Sequence, residues 1–168
     1  MENFRKYIDE SNAAVVSCGI LGFRNVDGKI DFLLGKPPNA NYWTVFKGVK
    51  DTGEDEKSAA VREFEEEALG GVMGSFNGKF INDTPLMGSV GSGKRTKQLK
   101  IWIAEVAMEP SAFTPNTNPE HVIKAPGQWF DGQPEIIKIE WFSAEEAINK
   151  MPKSQKDFIT QAVNIIKK

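Results

Sequence analysis

The segment that most restricts this chain is Asp55 to Ala68, where apolar and acidic residues recur with the period of an α-helix. Asp55 stands where an N-cap belongs, and Ser58-Ala59-Ala60-Val61-Arg62 continues with good helix formers. Ala60, Phe64 and Ala68 fall on one stripe, which should face a core. Glu63, Glu66 and Glu67 stand at i, i+3 and i+4 on the face bordering that stripe, and Glu65 points away from them. Like charges at this spacing cost a helix about 0.2–0.5 kcal/mol per pair, so stability alone would favour alternation with lysine. A bound divalent cation reverses the sign of that cost. Mg²⁺ takes oxygen ligands in an octahedron and keeps several waters, which suits a few carboxylates and a substrate phosphate. A solvated acidic face is the competing explanation, and for a bare Glu-x-x-Glu-Glu it is the commoner one.

The rest of the chain supplies a sheet for this helix. Ala13 to Phe23 is a strand rich in Val and Ile, Asn25 to Lys29 is a turn centred on Asp-Gly, and Ile30 to Leu34 returns as a second strand. Pro37-Pro38-Asn39 ends it, and a polar, glycine-bearing loop over Lys47 to Glu54 leads into the helix. Leu86 to Val90 and Leu99 to Val106 read as strands joined by Gly91 to Arg95, and Glu135 to Phe142 as another. Pro110 to Pro134, proline-rich and without periodicity, reads as a long functional loop. Ser143 caps a helix through Met151, with Glu146 at the capping-box position. A terminal helix follows from Ser154 or Lys156, with Phe158, Ala162, Ile165 and Ile166 inward. Hairpins mixed with interleaved helices argue an α/β (α+β) fold, a mixed sheet between helices, in one domain over residues 1–168. A net charge of −2 gives no global argument for nucleic acid. With one cysteine, Cys18 in an apolar run, no internal disulfide forms and a small core residue is expected. The charged N-terminus lacks the apolar stretch of a signal peptide, and no run of about 18 apolar residues suggests a membrane span. A cytoplasmic setting is the resulting expectation.

Spacing decides between the two explanations of the acids. Gly48, five residues, Glu54, seven residues, then Arg62-Glu63-Phe64-x-Glu66-Glu67 resembles the Nudix box, the signature of the Nudix hydrolases. Only the end departs: the family's glycine comes one place late, at Gly70 after Leu69, as if the helix ran one residue longer. Glu135, six residues before Trp141, stands where family members often carry a further metal ligand or base, and Ser143 to Ala147 looks like the family's next helix. Trp43 to Gly48 resembles the entry segment of the dinucleoside-polyphosphate and RNA 5′-pyrophosphate branches, and Lys153 to Phe158 has a weak likeness to bacterial members. The resemblance implies a Nudix-type α/β/α sandwich and a pyrophosphohydrolase dependent on Mg²⁺ or Mn²⁺, cleaving a nucleoside diphosphate linked to another moiety. It assigns Glu63, Glu66, Glu67, Glu135 and the Lys47 carbonyl to the metal, and pairs Arg62 with Glu54 to fix the loop against the helix. Glu66 or Glu67 is favoured over Glu135 as the base that takes a proton from water. Lys47, Trp43, Trp129 and Phe130 are the candidates for substrate contact, the aromatics through stacking.

Other signals carry less. Gly88 to Arg95 nearly matches a P-loop, but Arg95 occupies the hydroxyl position and Leu99 to Ala104 alternates like a strand where a helix is required. His121, the single histidine, has no cysteine or second histidine near it for zinc; it could act as an acid, but an exposed loop residue is the favoured reading. A nucleotide is the expected partner, with an RNA 5′ end and a homodimer as further expectations and no membrane. A catalytically silent Nudix fold that only binds a nucleotide or protein is the alternative, and loss of the acids would be its mark. All of them are present. The identity of the nucleotide is not written in the sequence.

Overall fold

A computed structural model describes residues 15–91 and 96–168. The expected strand start at Ala13 and the loop residues Ser92 to Arg95, with the basic pair Lys94-Arg95, lie outside the described residues.

The long strand β1 (Val15–Val26) turns at Asp27 and Gly28, both with positive φ (53° and 81°), into β2 (Lys29–Lys36). Two successive left-handed residues make the tight hairpin turn whose twist suits the flanking strands, and Asp-Gly tolerates it. Then follow β3 (Phe46–Val49), helix α1 (Glu56–Ala68), β4 (Lys79–Phe80), β5 (Leu86–Val90) and β6 (Lys97–Glu105). After a 3₁₀ turn at Pro110–Ala112 and the long loop come β7 (Lys138–Ser143), α2 (Ala144–Lys150) and α3 (Lys156–Ile166). The described strands form one seven-stranded sheet along β4-β6-β1-β2-β7, with β3 also on β1 and β5 also on β6. β1 and β6 run parallel and the other pairs antiparallel.

Period-2 alternation sorts the core into two halves. Cys18, Ile20, Leu33, Trp102, Ala104 and Ile139 meet α1 on one side of the sheet. Their neighbours Leu21, Phe23, Phe32, Leu34, Ile101, Ile103 and Phe142 meet α2 and α3 on the other. Strands β1, β2, β6 and β7 are thus apolar on both faces, and the sheet lies between helices, as the sequence suggests. On α1 the stripe Ala60, Phe64 and Ala68 is buried as expected. Asp55 caps its start by accepting from the Ser58 N–H at 3.0 Å, and Ser143 and Glu146 form the expected capping box on α2. A strand, β6, follows the glycine-lysine segment, which removes the P-loop reading. Among the described residues no helix is long and apolar enough to cross a membrane.

Three expectations change. The polar segment expected to be loop from Lys47 begins as strand: residues through Val49 pair with β1, because backbone pairing at this site does not depend on apolar side chains. The strand expected from Glu135 starts at Lys138, where the ladder with Lys36 begins. Glu135 stays in the preceding loop because Pro134 is still bridged to Val122. Glu65 does point away from the other acids, yet it is buried; its Oε2 accepts the Phe76 N–H at 2.9 Å and ties down the segment after the helix.

Candidate active site

The site forms where β1 changes partners. Its outer edge carries β3 over Ser17–Ile20 and β2 from Gly22 onward, so β3 presents a free edge to the C-terminal half of α1. The Lys50 N–H bonds the Val16 carbonyl at 2.9 Å, which makes Lys47 and Gly19 a non-hydrogen-bonded pair by antiparallel alternation. The Lys47 N–H and carbonyl therefore both turn away from β1. The N–H donates to Glu67 Oε1 at 2.7 Å, and the carbonyl projects from the same edge.

Gly48 beside it has a packing reason to be glycine. A Cβ there would stand 2.2 Å from the Glu63 carboxyl carbon, so the absent side chain is the space this buried acid occupies. Arg62, on the turn before, binds the loop acid Glu54 with two bonds, Nε to Oε2 at 2.8 Å and Nη2 to Oε1 at 3.0 Å. Its Nη1 reaches Glu63 Oε1 at 2.8 Å and Glu66 Oε1 at 3.1 Å, and Nη2 also donates to the Val49 carbonyl. The bond from Arg62 holds Glu54 below the ordinary carboxylate range, and the same pair raises Arg62.

The other acids are driven the opposite way. Burial, then the charge of Glu66, pushes Glu63 up to about 7 against the pull of Arg62. Burial with Glu63 and Glu135 raises Glu67 well above its usual value. Glu135 is exposed as a residue, yet desolvation of its carboxyl and the charge of Glu66 raise it too. Desolvation lowers Lys47, with Glu67 opposing. These groups feel one another, which is the electrostatic signature of acids gathered with too little positive charge.

Among the described residues no three of the acidic, histidine or cysteine side chains stand as a ready-made cation cage. Glu63 and Glu66 are turned to Arg62, and Glu67 to the Lys47 N–H. The donor set nevertheless fits a hard divalent ion: carboxylate oxygens and an edge carbonyl, partly desolvated, whose mutual repulsion a cation would remove.

Glu67 and Glu135 border a cavity of ≈ 490 Å³ walled also by Tyr42, Thr44, Lys47 and Gln155. Gln155 is buried and fixed, its Oε1 accepting from the Val45 N–H at 3.0 Å and its Nε2 donating to Thr44 Oγ1 at 2.9 Å. The aromatic candidates lie elsewhere. Trp43 packs edge-on against Phe142 at 4.9 Å on the core side. Trp129, 73% exposed, touches Phe130 in the long loop, and none of the three lines the cavity. Tyr42, one residue from Trp43, does.

His121 is the residue the sequence hid. Its Nε2 lies 3.5 Å from Glu66 Oε1 and its Nδ1 2.9 Å from Asn116 Nδ2. The bridge between Val122 and Pro134 closes the base of the loop and so brings His121 beside Glu135. A lone histidine among prolines gives no periodicity or spacing from which to foresee this.

A helix of acids tied by arginine to a loop, on a mixed sheet between helices, defines an α/β/α class of domain. The chain belongs to the NUDIX domain family, whose model matches residues 14–162. Over 57 residues it is 47% identical to a Caenorhabditis elegans bis(5′-nucleosyl)-tetraphosphatase (asymmetrical), a stretch that is 32% of this chain and 40% of that relative. The match thus spans less than half of the relative's length. The crystal structure of C. elegans Ap4A hydrolase aligns over 93% of this chain and all of that one, with TM-score 0.63 and 24% identity. The NUDIX domain of Shewanella oneidensis NrtR, solved with ADP ribose, aligns over 92% of this chain and 88% of that one, with TM-score 0.60 and 12% identity. At these identities the two structures share the fold.

Proposed function

We propose that the protein is a pyrophosphohydrolase using Mg²⁺ or Mn²⁺, which cleaves a nucleoside diphosphate linked to another moiety, with dinucleoside polyphosphates first among its substrates. One observation carries the reading: Glu67 and Glu135 open onto a single cavity beside Lys47, next to Glu63 and Glu66 on the arginine-tied helix. The similarity to the bis(5′-nucleosyl)-tetraphosphatase supports the substrate class.

Glu63, Glu66, Glu67, Glu135 and the Lys47 carbonyl are the groups that would hold the ion. A divalent cation held there would offset the charge of the diphosphate and lower the pKa of water, so that a carboxylate can take its proton and leave a nucleophile for phosphorus. Arg62 and Glu54 keep the loop and the helix acids in register, a positioning task. Glu66 and Glu67 remain ahead of Glu135 as acceptor of the water's proton. Glu67 stands first, because it borders the cavity and its burial raises its affinity for a proton. The Lys47 ammonium, on the cavity wall, meets the phosphate charge, and Tyr42 offers the nucleoside an aromatic surface.

The reading includes a cytoplasmic setting, in keeping with the buried, unpaired Cys18. Chromatographic detection of the nucleotide products from nucleoside triphosphates, diadenosine polyphosphates, ADP-ribose and 5′-capped RNA, with Mg²⁺, Mn²⁺ or chelator, tests it. Turnover of diadenosine polyphosphates that chelator abolishes and Glu67→Gln removes is the expected result. Inertness of every substrate with both metals ends the reading and leaves a binding module.

A further inference from the structure

The long loop hydrogen-bonds the acid helix through Asn116, and there the hydrogen-bond chemistry has a single solution. Asn116 is buried. Its Oδ1 accepts the Asn118 N–H at 3.0 Å, and its Nδ2 donates to the Glu66 carbonyl at 3.0 Å. A backbone N–H only donates and a carbonyl only accepts, so the orientation of the amide is fixed by its two backbone partners. The second Nδ2 hydrogen then faces His121 Nδ1 at 2.9 Å, and that nitrogen must present its lone pair. The neutral ring consequently carries its proton on Nε2, the atom 3.5 Å from Glu66 Oε1. Arg62 Nη1 reaches the same oxygen at 3.1 Å from the other side. Among the described residues no donor reaches Glu66 Oε2.

We propose that Asn116 and His121 are positioning residues for the reaction, a two-step clamp by which the loop fixes one oxygen of Glu66 and leaves the other open for a ligand. The assignment rests on the hydrolase reading for its consequence in turnover, but the clamp itself has signatures independent of turnover. Asn116 acts twice on Glu66. It bonds the backbone carbonyl near the end of α1 directly and orients the imidazole whose Nε2 stands 3.5 Å from the side chain's Oε1. The loop hydrogen-bond pattern supports this geometry, since the His121 N–H bonds the Asn118 carbonyl and Ile123 pairs with Gln133 and Gly132. A side chain at Gly71 would run into Asn116 at 2.7 Å, so the helix exit is shaped around the same amide.

The test uses the whole chain, with ¹⁵N-labelled histidine, in three measurements. Side-chain ¹⁵N spectra above neutral pH should show the Nε2–H tautomer in the native protein and a mixture in Asn116→Ala. Calorimetric titration with Mn²⁺ alone should show weaker binding in His121→Ala, with His121→Gln, which keeps a neutral donor, recovering part of the loss. Steady-state kinetics on diadenosine tetraphosphate should show kcat lowered by roughly 10–100-fold in His121→Ala, with KM little changed and His121→Gln intermediate. An Nδ1–H tautomer in the native protein overturns the clamp, as does unaltered kcat in a folded His121→Ala. If the native enzyme turns over no substrate, the hydrolase reading falls by itself. Unchanged Mn²⁺ affinity in His121→Ala then sinks the clamp as well, whereas weakened affinity keeps it as part of an ion-binding site.

Discussion

The Arg62 guanidinium takes both oxygens of Glu54 on one side and one oxygen each of Glu63 and Glu66 on the other. Its planar fork is what allows these four oxygens and the Val49 carbonyl to be served at once, and a lysine ammonium cannot reproduce that geometry. Arg62→Lys should lower kcat by roughly 10–100-fold, the usual consequence of loosening the groups that orient metal ligands. Lost bonds to partly buried charged partners should cost about 2 kcal/mol, read as a fall of roughly 4–8 °C in Tm by calorimetry. A variant with native kcat and Tm would show that the network is ornamental.

Stability without metal should fall as pH rises. The folded Glu63 holds its proton to about 7, against 4.5 for an ordinary glutamate, and Glu67 is raised in the same direction. Between those values the native chain binds more protons than the unfolded one, so the stabilisation present at low pH is lost as pH climbs through the window. Glu66 and Glu135 push Glu63 up and Arg62 pulls it down, and the shift is what survives that opposition. In chelator, the Tm gap between the wild type and Glu63→Gln should widen in favour of the variant from about pH 5 to about pH 8, and added Mg²⁺ should close it. A gap that does not change with pH would mean Glu63 ionises normally.

Gly48→Ala should damage the site more than the fold. The added methyl must displace the Glu63 carboxyl, the end of a side chain held by Arg62, while β3 keeps its pairing with β1. Mn²⁺ binding by calorimetry should weaken by roughly tenfold or more, with a smaller change in Tm. Native affinity in the variant would take Glu63 out of the ion site.

Cys18 should be chemically silent in the native state. It is fully buried between β1 and α1, and burial pushes its thiol up to about 11, with Glu56 adding to the effect. Reaction needs the thiolate and access, and the fold denies both. Alkylation followed by mass spectrometry should label it only in denaturant. Rapid native labelling would mean that this part of the core opens.

Local periodicity carried much of the fold into view. The Asp-Gly turn, the Asp55 cap, the apolar stripe of α1 and the capping box at Ser143 and Glu146 are short-range patterns, and each is present. The pairing of Arg62 with Glu54 was legible only through the family resemblance, which sets the loop acid against the helix arginine. Strand β3 was legible only in the resemblance of Trp43 to Gly48 to a strand-and-loop entry, since its pairing is made by backbone groups in a polar stretch that lacks alternation. The wall of the cavity was not: Tyr42 and Gln155 meet there because the N-terminal end of α3 packs over the segment before β3, with Gln155 bonding Val45 across the gap.

The sequence by itself determined the acid-bearing helix and the layering of sheet and helices, because both follow from contacts between residues near in the chain or from a repeating apolar period. Tertiary structure decided what surrounds those acids. It turned both polar groups of Lys47 outward, kept Glu135 off the strand, and brought His121 from a loop without pattern to Glu66. Such placements depend on how separate segments close on one another, and side chains brought together by loop closure leave no period in the sequence to be read.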